Sequence, residues 1–104
     1  MKIYVSPSDQ LGNLYAYGDT NEAVVCREIA GKLCAALERC GFETMTDYTD
    51  GPDAMYARCR QSDEWGADMH LCIHTNAFNG QVTGTRIFSY NYTGESYKAS
   101  KCVF

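Results

Sequence analysis

A long amphipathic stretch, residues 21–40, lies between two short apolar runs, Lys2–Val5 and Phe42–Thr46. That arrangement constrains the chain more than any other feature. The apolar positions Val25, Ile29, Leu33 and Leu37 recur every four residues, with Cys26, Ala30, Ala36 and Cys40 filling the stripe, which is the period of a helix with one buried face. Asp19 with Glu22 fits a capping box, and Gly41 suits the residue after the helix end. A helix joining two strands predicts a right-handed crossover and parallel pairing.

The pattern then repeats. After the turn-rich Asp47–Asp53, with its Gly51-Pro52, a second helix is expected over 54–65, and a third strand over Met69–His74. Asn79-Gly80 signals a turn. Thr83–Tyr90 reads as a fourth strand, and Gly94–Phe104 begins another helix. The expected fold is α/β, a mostly parallel sheet of about four strands flanked by helices. The 104 residues make one domain. The last helix meets no capping residue before Phe104, so the chain reads as cut rather than finished, and the sheet edge next to the break is expected to be exposed and prone to self-association.

Composition excludes several function classes. Net charge is −4 with no basic cluster, which argues against nucleic acid as a partner, because a phosphate backbone demands a Lys/Arg footprint. No apolar run reaches membrane-spanning length. Met1–Val5 has one Lys and too short an apolar core for a signal peptide, so cytoplasmic synthesis is expected. The six cysteines form no C-x-x-C pair and are expected to be reduced, buried, small hydrophobic residues.

The residues with chemistry cluster in Met69-His-Leu-Cys-Ile-His-Thr-Asn-Ala77. His70 and His74 are four apart on a strand, roughly 13 Å at about 3.3 Å per residue, too far to share one ion. His74 stands at the carboxyl end, where sites of open α/β sheets form. His70 stands at the other end and is expected to be structural. Glu22 opens the long helix, and Asp9 directly follows the first strand, so both are also carboxyl-edge positions. Glu22 alone would pass for a capping carboxylate, and Asp9 for a turn residue. Tyr15 and Tyr17 suit either the core or a groove for sugar or peptide; Asn76 and Asn79 suit turns.

With those residues in view, the chain resembles the zinc-dependent N-acetylmuramoyl-L-alanine amidases, bacterial cell-wall enzymes and phage endolysins. Cys72-Ile-His-Thr-Asn-Ala77 is similar to that family's Ser-Ile-His-x-Asn strand end, and Thr20-Asn-Glu22 to its helix-start Glu. Ala67-Asp68 and Gly84-Thr85 also fit. The resemblance implies a zinc ion held by Glu22 and His74, with Asn76, Tyr15 and Tyr17 lining the substrate site. It implies peptidoglycan as substrate and hydrolysis of the amide between N-acetylmuramic acid and L-alanine. A catalytically inactive cell-wall-binding or interaction domain is the alternative. Two departures stand out. The first zinc His of the family aligns with Asp9, within Ser6-Pro-Ser-Asp-Gln10, so Asp9 is the expected third ligand unless Gln10 takes the place or the site is altered. The family's catalytic Glu has no counterpart in these 104 residues, so little or no turnover is expected from them alone.

Overall fold

The computed structural model describes residues 1–76, 81 and 83–103. Its elements are β1 (Lys2–Pro7), α1 (Glu22–Arg39), β2 (Glu43–Thr46), α2 (Ala54–Trp65), β3 (Met69–Ile73) and α3 (Gly94–Val103). The three strands form one parallel sheet in the order β2-β1-β3. β1 is central. Ile3 faces Thr44 on one side and Met69 on the other, and Pro7 faces Ile73. Ser8 N–H donates to Ile73 O at 2.9 Å, which carries the β1–β3 pairing one residue past the strand. The α/β architecture and the β-α-β-α-β order agree with the sequence pattern.

The expected fourth strand is not there. Among the described residues of 83–90 none is in a strand. The segment has β-forming residues, but Phe88 and Tyr90 are exposed, and β propensity acts through packing against a neighbouring strand and a buried face. Asn79-Gly80 lies outside the described residues. No strand among the described residues pairs with the outer edge of β3.

The two faces of the sheet are held by different means. Against α1 the contact is apolar. Ile3, Val5 and Ala30 are buried together, with Leu33, Cys34, Leu37, Phe42, Met69 and Ile73 packed on them. The helical stripe is therefore rotated from the expected one. Cys26 and Ala30 point inward, while Ile29 is exposed, so small residues let α1 sit close to the sheet. Of the six cysteines only Cys26 is buried; Cys34 is half-buried and Cys40, Cys59, Cys72 and Cys102 are exposed, all as free thiols. The expectation of buried cysteines fails for those four because they sit at helix ends, on solvent faces and near the open edge.

On the opposite face α2 is tied down by polar groups. Tyr4 Oη donates to Gln61 Oε1 at 2.7 Å, and Gln61 Nε2 donates to Asp47 Oδ2 at 3.0 Å. Lys2 Nζ donates to the Trp65 carbonyl at 3.1 Å. Arg58, only 2% exposed, donates to the Pro7 and Thr49 carbonyls. His70 stacks on Tyr4 with ring centroids 4.9 Å apart. α2 closes on Gly66, whose φ of 70° puts it in the left-handed region that a C-cap glycine adopts without strain.

Two outcomes follow for stability. Arg58→Met keeps the aliphatic bulk but orphans two carbonyl acceptors, at about 1–3 kcal/mol for a buried one. Urea unfolding should show a loss of about 2 kcal/mol or more. For His70, burial is the main cause of a lowered pKa, with Arg58 adding to it and Asp63 opposing it. The unfolded chain then takes up the proton first, so stability should begin to fall as pH drops below about 6.5. His70→Gln should remove that part of the pH slope, measured by unfolding at several pH values.

Candidate functional site

The site forms where the carboxyl ends of β1 and β3 meet the start of α1. Asn21 is the N-cap of α1, its side chain accepting from Val24 N–H at 3.0 Å. Asp19 does not cap, so the expected capping box is replaced by an Asn cap. The reason is one of register: the helix begins at Glu22, which makes Glu22 the first helical residue and too early to reach back as the capping carboxylate. Its side chain points instead into the sheet edge and is 5% exposed.

There Glu22 Oε1 lies 3.0 Å from His74 Nδ1, and Thr75 N–H donates to the same oxygen at 3.2 Å. Asn13 Nδ2 donates to the other oxygen, Oε2, at 2.8 Å. Burial raises the pKa of Glu22, but hydrogen bonds from Asn13, the Thr75 backbone, His74 and Ser8 together outweigh it and hold the carboxyl below its ordinary value. The start of a helix adds to this, since its free N–H groups favour a negative charge. An ionised Glu22 only accepts, so Nδ1 of His74 carries the hydrogen. The His74 side chain is 49% exposed, standing just past the end of β3.

Asp9 does not join the pair. Among the described residues no three His, Cys, Asp or Glu side chains group as a metal site would require. It is Ser8, buried, that helps hold the Glu22 carboxyl low. Gln10 is linked less directly, because Asn13 Nδ2 donates to Gln10 Oε1 as well as to Glu22. The residues sequence reasoning passed over are thus Ser8, Asn13 and Thr75. Asn13, after Gly12 in a polar loop, gives only a turn signal, and Thr75 acts through its backbone, which leaves no signature in a sequence.

Do these side chains suit the zinc ion that the resemblance implies? Two donors on a tetrahedral zinc, each about 2.0–2.1 Å from it, stand roughly 3.3 Å apart. The 3.0 Å between Glu22 Oε1 and His74 Nδ1 is close to that, an ion there taking the place of the hydrogen on Nδ1, and an imidazole with a carboxylate is a donor set zinc accepts. The pair fits as two of the three protein ligands of an open site; the third is not supplied by a grouped His, Cys, Asp or Glu among the described residues.

Beside the pair runs an open groove of about 890 Å³. Tyr15, Tyr17 and Asn76 all line it, together with Asn13, Glu22 and Thr75. Tyr15 Oη donates to Thr75 Oγ1 at 2.9 Å, fixing that ring as a wall. Tyr17 is 91% exposed. The aromatics therefore face the groove rather than the core.

No helix among the described residues is long and apolar enough to cross a membrane. No curated protein and no solved structure matches the chain at a significant level. The family model of the N-acetylmuramoyl-L-alanine amidases does, over residues 8–103, from the end of β1 to the last residue of α3. A match spanning both strand ends, the start of α1 and the groove-lining loop shows that the chain belongs to the N-acetylmuramoyl-L-alanine amidase family, hydrolases of peptidoglycan.

Proposed function

We propose that the chain is a zinc-dependent amidase domain that cleaves the bond between N-acetylmuramic acid and the L-alanine of the stem peptide. The observation that carries this reading is the 3.0 Å approach of Glu22 and His74, 52 residues apart, at the carboxyl edge of a parallel sheet. Glu22 and His74 would hold the ion. When bound, zinc would polarise the lactyl carbonyl and lower the pKa of a bound water. The chain's own residues prepare that chemistry. Asn13, Thr75 N–H and Ser8 keep Glu22 ionised and fixed, and Glu22 orients the His74 ring. Tyr15, Tyr17 and Asn76 offer a glycopeptide stacking faces and an amide along the groove. Asp9, next to buried Ser8 just past the end of β1, is the proposed third ligand. Action is at the cell wall, as for a phage endolysin made in the cytoplasm, and the outer edge of β3 is the surface through which copies would associate.

A second reading, a wall-binding domain without turnover, is favoured by one observation: among the described residues no third His, Cys, Asp or Glu groups with Glu22 and His74. Stem-peptide release from purified peptidoglycan separates the two. Zinc titration by calorimetry tests the site itself. His74→Ala should abolish most zinc affinity, whereas His70→Ala should lower stability and leave zinc binding intact. Affinity in the native chain should weaken in acid, where protons compete with the ion for its ligands. Equal loss of zinc from both histidine variants would overturn the assignment.

A further inference from the structure

A carboxylate that serves as a metal ligand must not rotate, and both oxygens of Glu22 are taken. Oε1 meets His74 Nδ1 and Thr75 N–H, and Oε2 meets Asn13 Nδ2. The contacts to Oε1 come from the end of β3, which the sheet fixes. The contact to Oε2 comes from a loop, so what fixes that loop matters. Asn13 is anchored at its backbone: its carbonyl accepts from Glu22 N–H at 2.9 Å, and Leu14 bridges to Asn21 in antiparallel fashion. Tyr15 N–H donates to Thr20 O at 3.2 Å, closing the loop below it. The side-chain amide is shared with Gln10 Oε1 on its far side. Asn13 thus touches Glu22 twice, once through backbone and once through side chain.

We infer that Asn13 is the positioning residue of this site. The inference rests on the zinc reading above. An amide suits position 13 where an acid would not. Its NH₂ donates to a carboxylate that is already ionised, whereas Asp there would set two negative charges against each other. Outer partners that orient a ligand carboxylate or imidazole commonly account for 10–100-fold in metal affinity. Because Asn13 is itself exposed, truncating it removes little packing, so an effect on zinc can be read apart from an effect on folding.

The test is zinc titration by isothermal calorimetry of the 104-residue chain and of Asn13→Ala and Asn13→Asp, with thermal unfolding of each in chelator. The expected result is a loss of affinity of about 10–100-fold for N13A and at least as much for N13D. All three chains should remain cooperatively folded at the titration temperature in chelator. Native affinity in N13A, or tighter binding in N13D, would show that position 13 does not act by positioning and would overturn the inference while leaving the zinc reading intact. Should N13A fail to fold, the near-isosteric N13D decides by the same criterion. No zinc binding by the native chain would bring down both the zinc reading and the inference.

Discussion

A buried, ionised carboxylate is the hub of this structure. Glu22 is almost wholly out of water, and a charge in that position is tolerated only where hydrogen bonds replace the lost hydration. Its donors come from two separate segments, the loop before α1 through Asn13 and the end of β3 through His74 and Thr75, and Ser8 at the end of β1 also helps hold the carboxyl low. Each holds part of the chain against the first turn of α1. Removing the charge would leave those donors facing one another without an acceptor. The carboxylate therefore fixes the geometry of the carboxyl edge whether or not an ion is bound to it.

The rest of the fold keeps that edge in register. α1 packs on one face of the sheet through apolar and small side chains, which sets the height of its first turn above the strands. α2 holds the other face mainly through polar groups, and Arg58 binds the Pro7 carbonyl at the point where β1 leaves the sheet. Ser8, the next residue, is the one that helps hold the Glu22 carboxyl low. A buried guanidinium on one side of β1 and a buried carboxylate on the other thus bracket the same strand end. Breaking a buried charge network by removing one member is costly because the other members stay behind unpaired.

Much of this was legible in the sequence, and the failures have physical causes. The period of the 21–40 stretch announced α1, and the alternation of strands and helices announced the parallel sheet. The position of His74 at a strand end and Glu22 at a helix start was enough to expect them near each other, since parallel strands bring such ends to one edge. The capping box was misplaced because Asp19 and Asn21 are both good N-caps, and only the structure chooses between them. The fourth strand was expected from β-forming residues alone, but a strand also needs a neighbour to pair with. Four cysteines were expected inside because their hydrophobicity was weighed without the rotation of the helices and strands that carry them. Asn13 could not be singled out, because its role depends on a bridge between Leu14 and Asn21 that no local pattern encodes.

The loop that supplies Asn13 also supplies the wall of the groove, and this joins orientation to recognition. Tyr15 is bonded to Thr75, and Thr75 through its N–H is bonded to Glu22. Asn13, two residues earlier, is bonded to Glu22 directly. Displacing the ring of Tyr15 would pull on the end of β3, and displacing the end of β3 would pull on both His74 and the carboxylate. Tyr17, by contrast, projects freely beside the groove. A ligand pressing on Tyr15 would therefore act on the Glu22–His74 pair, while one stacking on Tyr17 would add only its own contact. The same short loop thus carries one ring tied to the Glu22–His74 edge and another that stands in solvent beside the groove.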